Sequence, residues 1–447
     1  MRPAPDSPFP LAKKTYETMS ITRMQPLSVA GALVYFVFVA GGVIPDGANA
    51  AEPELAQQWV FQTQSRIYSS PVVADLDDRP GQEILIVASA ERKLICLSAA
   101  GEPIWTYEDF VRRNTMTPTV ADLDGDGHLE ILIGSREKGT VCLTHDGKLR
   151  WRVPVEGGLS WTTIVVADAD TDDTPEVYWI SRLGLVECRR PNGDEAWNYQ
   201  LGYANDRMKT DSSPAIGDVD GDGQSEIVAA SPFQIVCLKP DGKPLWEHKS
   251  VSRFNSGPVI ANVLGDDNRE VLIQSEKGVV SCLDGPTGKI LWTHHTLPVR
   301  IDASIAVGDF DGNGKPEIFY GDNVGNAFCL DGSGVEQWSY DTGWWIESAP
   351  AIGDVDADGE TELVFGAEDG TLYCLSATGR LKWTYRTGRR ISASPTLCDC
   401  NNDGVLDILV GSHNGKLYCL TTKAPWNPNR ILWPSKRYNL QQTACVP

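Results

Sequence analysis

A chain of 447 residues, 41% hydrophobic and with 14 tryptophans, has the material for several domains or for one large all-β ring. A formal charge of −21 and a pI near 4.7 exclude a broadly basic surface of the kind that binds nucleic acid or anionic membrane. Most of that charge comes from one recurring acidic segment, so it says little about partners.

The first element in chain order is a targeting segment. Lys13, Lys14 and Arg23 precede the apolar run LSVAGALVYFVFVAGGVI (27–44), and the small-residue site Ala48-Asn49-Ala50 follows. Residues 1–50 are therefore expected to be a signal peptide, with Met19 or Met24 as a possible true start. An uncleaved anchor is the alternative, because a run of this length approaches what a bilayer requires. No later segment is long and apolar enough to span. The mature chain is expected to be exported, to the periplasm or to the cell surface and beyond, with no membrane span of its own.

The rest of the chain, 51–447, repeats. Tryptophans fall at 59, 105, 151, 197, 246, 292, 338, 383 and 433, at spacings of 45 to 50 residues. The seventh interval, SAPAIGDVDADGETELVFGAEDGTLYCLSATGRLKW (348–383), reads as four strands. SAPAIGDV leads into an acidic loop, TELVFGA into a tight EDG turn, and TLYCLSA into a TG turn before RLKWTYRT. Four antiparallel strands at this period predict an all-β, eight-bladed β-propeller. WVFQTQS (59–65) is a fourth strand without a preceding three, so it is expected to close the ring by completing the last blade. The tail 423–447 competes for that role or packs across it.

The acidic loops with their following strand resemble the FG-GAP/VCBS-type calcium propeller repeats, also seen in integrin α heads. The second half of each repeat, as in CLDGPTGKILW (282–292), resembles the Trp-docking repeat of quinoprotein (PQQ-like) propellers. The tail LWPSKRYNLQQT is similar to a WPxFR-type segment of bacterial proteins of that kind. The resemblance covers 59–433. It implies the propeller fold and carries little about activity, because propellers host unrelated functions.

In ADLDGDGHLEILIGS (121–135) acids stand at loop positions 1, 3 and 5, Gly at 6 permits the sharp turn, and an acid at 9 closes the shell. Calcium wants six to eight oxygens on such a closely coiled chain. Three loops are complete: Asp122, Asp124, Asp126 and Glu130; Asp218, Asp220, Asp222 and Glu226; Asp354, Asp356, Asp358 and Glu362. The sixth has Asp309, Asp311, Asn313 and Glu317, and the eighth Asp399, Asn401, Asp403 and Asp407. The third keeps Asp168, Asp170, Asp172 and Glu176 but has Asp173 in place of Gly. Arg79 in the first loop and Leu264 in the fifth are expected to leave those two without an ion. Up to six structural Ca²⁺ sites are predicted. Asp and Gly also suit a plain turn, but two carboxylates ~4 Å apart repel by roughly 4 kcal/mol at an effective dielectric near 20. A turn gains nothing from that.

Strand order puts the acidic loops on one side and the connections into the next blade on the other. Five residues before each Ser-Pro position those connections carry Arg66, Arg113, Lys209, Arg253, Arg300 and Arg390, with Leu159 and Trp345 breaking the series. Trp161, Trp344 and Trp345 lie nearby. The expectation is a basic ring at one channel mouth. It serves either as repeated inter-blade salt bridges or as a site for an anionic glycan or protein ligand, since guanidinium forks suit carboxylate or sulfate and indoles suit sugar rings.

Eight of the 11 cysteines occupy one repeat position (Cys96, Cys142, Cys188, Cys237, Cys282, Cys329, Cys374 and Cys419) and read as small core residues. Cys398, Cys400 and Cys445 stand outside the pattern, and a bond from Cys445 to one of the other two would staple the tail. His128, His145, His248, His294, His295 and His413 show no zinc-type spacing. No nucleophile elbow, P-loop or dinucleotide fingerprint occurs. By resemblance, a quinoprotein dehydrogenase would need an adjacent Cys-Cys pair over its quinone cofactor, PQQ. The nearest approach here is Cys398-Asp399-Cys400, so PQQ binding is not expected. The sequence reading is a calcium-stabilised, non-catalytic binding scaffold. The first alternative is a polysaccharide lyase acting on uronate polymers, with Lys209 or the His294-His295 pair as weak candidate bases. A PQQ-dependent oxidoreductase is the remote alternative.

Overall fold

The computed structural model describes residues 55–442 apart from 78, 111–115, 137–138, 160–161, 203–208, 255, 267, 298, 302, 438 and 440–441. The leader, Arg113, Trp161 and Cys445 lie outside the described residues. Among the described residues no helix is long and apolar enough to cross a membrane.

The chain forms eight four-stranded antiparallel sheets, the blades of a propeller. Blade 7 shows the common plan in Ala351–Gly353, Glu362–Gly366, Thr371–Ser376 and Leu381–Arg386. The first three strands are buried along their whole length, whereas the fourth is mostly half-buried. A strand covered on both faces reads as a continuous apolar run, and an edge strand does not. First strands of successive blades lie side by side around the centre, and the first strand of blade 1 (Val72–Ala74) meets that of blade 8 (Thr396–Cys398).

Each repeat cysteine stands opposite a tryptophan at a bulge between the third and fourth strands, as Cys374 does with Trp383. The tryptophans hold neighbouring blades together. Trp338 Nε1 donates to the Ala377 carbonyl at 2.7 Å, and Trp292 Nε1 to that of Gly332 at 3.0 Å. Seven of the indoles, all but that of Trp383, also lie on a glycine of the next blade's last turn. At Gly101, where φ is +79°, an added Cβ would sit 2.7 Å from Trp59 Cε3, so close packing and backbone both demand glycine.

The closing strand spans Ala56–Gln62 and pairs with the third strand of blade 8, Lys416–Pro425, placing Trp59 opposite Cys419. Trp59 Nε1 then reaches the Ala99 carbonyl of blade 1 at 2.9 Å. The expected ring closure is present, beginning three residues before position 59. Residues 423–425, assigned from sequence to the tail, continue the third strand of blade 8. The tail proper does not compete with the closing strand. Ile431–Trp433 adds a fifth strand to the inner edge of blade 7. Trp433 is fully buried, and Arg437 Nη2 donates to the Pro214 carbonyl at the start of blade 4. The tail therefore crosses the space that the first strands enclose.

Candidate functional site

The acidic loops share one construction. Asp122 Oδ1 accepts from the Gly125 N–H at 2.8 Å and its Oδ2 from that of Gly127 at 3.0 Å, and Asp218 does the same with Gly221 and Gly223. The acid at position 9 opens the second strand and accepts from the N–H at position 2, as Glu226 does from Val219 at 3.0 Å. One carboxylate oxygen is thereby fastened to the backbone and the other is left for the loop. In loop 3, Thr171 and Asp173 take positive φ values of 62° and 67° where loops 2, 4 and 6 use glycine.

These clusters are compatible with a divalent cation. Asp122, Asp124 and Glu130 place carboxylate oxygens within 4.8 Å of one another. So do Asp168, Asp170 and Glu176; Asp218, Asp220 and Glu226; and Asp309, Asp311 and Glu317. Glu226 Oε1 and Asp309 Oδ1 are buried without a hydrogen-bond partner, which leaves both oxygens available as ligands in loops 4 and 6. Burial, followed by smaller effects of nearby Asp carboxylates, pushes Glu176, Glu226 and Glu317 up to about 7.

Not every loop is short of positive charge. In loop 7, Lys382 Nζ lies 2.6 Å from Asp356, 2.7 Å from Asp358 and 2.8 Å from Glu362, and Arg430 pairs with Asp354. In loop 2, Arg150 pairs with Asp124 and, at 2.6 Å, with Glu130. Both residues immediately precede the blade tryptophan, where Ala196, Leu245 and Gln337 stand in blades 3, 4 and 6. Arg79 pairs with Asp77 inside loop 1, and Leu264 of loop 5 is 42% exposed. In loop 8, Asp403 N–H donates to Asp399 at 3.0 Å, and Asp407 at position 9 accepts from Cys400 Sγ at 3.1 Å.

The opposite face carries the inter-blade connections. Ile391 N–H donates to Ala367 of blade 7 while the Arg390 carbonyl accepts from His413 of blade 8. Ile346, Trp345 and Glu368 repeat this between blades 6 and 7. The predicted ring positions thus have a backbone role that leaves their side chains available. Arg390 bridges to Glu368 of the preceding blade at 2.8 Å, and Arg253 Nη2 donates to the Lys209 carbonyl at 3.1 Å. Arg300 is exposed and its carbonyl accepts from Asn323, while Trp344 and Trp345 are 52% and 47% exposed on their own connection.

Of the predicted ring, the structure brings Arg66 and Arg390 into one cleft at the closure of blades 8 and 1. It has a volume of about 730 Å³ and is lined by these two with Arg389, His413 and Asn414. A second space of about 360 Å³ shares Arg66, His413 and Asn414 and extends to Tyr68 and Ser89. Arg66 Nη1 donates to the Tyr68 hydroxyl at 3.2 Å, and no carboxylate among the described residues pairs with Arg66 or Arg389. Sequence reasoning missed Arg389 and His413. The doublet Arg389-Arg390 was the available signal, but only folding brings the turn bearing His413 beside it.

His413 has its ring centroid 4.3 Å from that of Tyr68 and its Nε2 3.1 Å from Ser392 Oγ. Burial, then the charges of Arg66 and Arg390, lowers it to about 4, so it is neutral at pH 7. A folded value below the ordinary 6.5 means that the unfolded chain takes the proton first. His413 therefore costs stability as pH falls from about 6.5 toward 4. An NMR titration should place its midpoint near 4, and an anion in the cleft should raise it.

Residues 122–179 match the model of the FG-GAP-like repeat. Residues 190–343 and 276–424 match that of the outer membrane protein assembly factor BamB, built on PQQ_2 repeats. No curated protein sequence matches the chain. Among solved structures, the chain is similar to BamB from Moraxella catarrhalis, with 15% identity, a TM-score of 0.56, and coverage of 83% of this chain and 99% of that one. It is also similar to the V. cholerae biofilm matrix protein Bap1, at 13% identity and TM-score 0.65, with 89% and 96% covered. For the quinohemoprotein alcohol dehydrogenase of Comamonas testosteroni the values are 14%, 0.60, 86% and 79%. At these identities the likeness is one of fold, shared by enzymes and non-enzymes alike. The two PQQ_2 matches together cover more than half of the sequence, and the chain belongs to this BamB-like PQQ_2 repeat family of eight-bladed propellers.

Proposed function

We propose that the protein is an exported, calcium-braced propeller that acts as a non-catalytic binding scaffold for an anionic ligand, with acidic glycans as the favoured class. One observation carries the reading. Arg66 and Arg389 line a cleft beside a neutral His413 in a strongly acidic protein, and no carboxylate among the described residues pairs with either. Guanidinium groups held in this way suit carboxylate or sulfate. Export is in keeping with the outer membrane named in the matching family model and the biofilm matrix named for one similar structure. Hard oxygen donors on a coiled loop favour calcium over softer metals.

Because Arg66 and Arg389 are exposed, Arg66→Ala/Arg389→Ala should fold normally. A charge-assisted hydrogen bond contributes ~1.5–3 kcal/mol, so the pair should weaken binding of a sulfated or uronate oligosaccharide by about a hundredfold in calorimetry. Unchanged affinity would remove the cleft from the reading.

The lyase alternative gains one specific observation: a neutral imidazole, a tyrosine and guanidinium groups share the cleft. A uronate lyase needs a base for the proton beside the carboxylate and a cation to steady the resulting charge. His413 and Tyr68 replace Lys209 and the His294-His295 pair as the candidates. Release of unsaturated sugar ends, followed by ultraviolet absorbance, would favour the enzyme. Quinone chemistry has no support from Cys398 and Cys400, which are enclosed in blade 8.

A further inference from the structure

Blade 8 departs from its seven relatives at three positions that meet in space. The last residue of the first strand is alanine or glycine elsewhere, as in Ala74 and Gly353, and is Cys398 here. Loop position 2 is apolar elsewhere, as in Val219 and Val355, and is Cys400. Loop position 9 is glutamate in the other seven, as in Glu362, and is Asp407. The third strand adds Cys419, the cysteine common to all blades.

The outcome is a buried cluster. Cys400, Cys419 and Asp407 are each 0% exposed, and their Sγ, Sγ and carboxylate oxygen lie within 4.8 Å of one another. Cys400 Sγ donates to Asp407 Oδ2 at 3.1 Å. Gln58 covers the open side from the bulge of the closing strand. Its Nε2 donates to Asp407 Oδ1 at 3.1 Å, and its Oε1 accepts from Cys419 Sγ at 3.5 Å. Gln58 stands where blade 7 has Lys382, whose ammonium meets Glu362. No basic side chain among the described residues pairs with Asp407. A buried carboxylate with no basic partner favours a bound cation.

We propose that Cys400, Cys419 and Asp407 form a zinc-class metal site, with the Gln58 amide oxygen as neutral fourth ligand and Cys398 packed behind Cys400. Two thiolates and one carboxylate suit a borderline-soft divalent ion. Tetrahedral bonds of about 2.0–2.3 Å set such ligands roughly 3.5–4 Å apart, close to the spacing already present. Binding releases the two thiol protons to solvent. Its thiolates set it apart from the all-oxygen loops; it takes Asp407 from the ligand set predicted for loop 8 and is independent of the anion cleft. Because Gln58 belongs to the closing strand, the metal would tie that strand to the blade it completes.

The test uses the full chain, first saturated with Ca²⁺ to fill the oxygen loops and then titrated with Co²⁺ as a spectroscopic stand-in for zinc. A thiolate-to-cobalt charge-transfer band should saturate at about one equivalent, and zinc should abolish it. Cys400→Val/Asp407→Glu installs the residues of blades 4 and 7 at these positions and should fold, yet lack the band. Cys419→Ser provides a second variant with the same expectation. Absence of the band in the native chain, its persistence in either variant, or recovery of a Cys400–Cys419 disulfide from a non-reducing digest would each overturn the site.

Discussion

Replacing Trp59 with alanine is expected to lower stability by about 3–5 kcal/mol, the usual cost of emptying a large aromatic site. A folded domain has only about 5–15 kcal/mol in hand, so the effect is severe. The same atoms are lost at Trp105, whose indole meets the His145 carbonyl at 3.2 Å, and the contact cost there should be similar. The consequences differ because of position. Trp105 joins blades that are covalently consecutive, whereas Trp59 fixes a strand from the start of the propeller to blade 8 and carries the dock onto blade 1. Once that dock is gone, the closing strand is held by its ladder with 416–421 and the side-chain contacts of Gln57 and Gln58. Trp59→Ala should therefore expose the closing strand to limited proteolysis well below the global unfolding transition, and Trp105→Ala should not. Equal protease resistance in the two variants would mean that the tail, paired with blade 7 and reaching Pro214, holds the ring instead.

The comparison of sequence with structure turns on which features repeat. A period of about 46 residues, with a tryptophan and a cysteine at fixed phase, made blade number, strand order and the closing strand legible, because each blade obeys the same local rules of turn and burial. What repetition hides is the exception. Lys382 and Arg150 look like ordinary outer-strand residues until the fold sets the fourth strand two places from the second, where their side chains reach Glu362 and Glu130. Cys398 and Cys400 read as an incomplete quinoprotein pair or a disulfide partner. Only the pairing of Cys398 with Asp407, and of Leu409 with Cys419, reveals what surrounds them. The basic ring was legible as a series, but its concentration at the closure depends on Arg389 from an inter-blade connection and His413 from a hairpin turn. The tail could not be placed from sequence because its contacts, Gly353 and Pro214, are far away along the chain.

Chelation of divalent cations should lower the melting temperature by several degrees, and the loss should be assignable to particular blades. Loops 3, 4 and 6 have no basic residue before their tryptophan, and their glutamates lie beside uncompensated aspartates. At millimolar Ca²⁺ and a site constant near 10⁻⁴ M, each filled loop contributes about 1.4 kcal/mol, so three contribute roughly 4 kcal/mol. Asp218→Asn/Asp220→Asn should remove about a third of the calcium effect and leave the remainder. Loop 7 supplies the opposite control. Lys382 already occupies the position among Asp356, Asp358 and Glu362 where a cation would sit, so the native loop should add little to the calcium dependence. Lys382→Met removes that charge while keeping the stem that packs on the strand. The variant should be less stable without calcium and recover more of its stability when calcium is added. An unchanged melt on chelation would dismiss calcium as a brace. An unchanged calcium response in Lys382→Met would show that the loops do not interchange protein and metal cations.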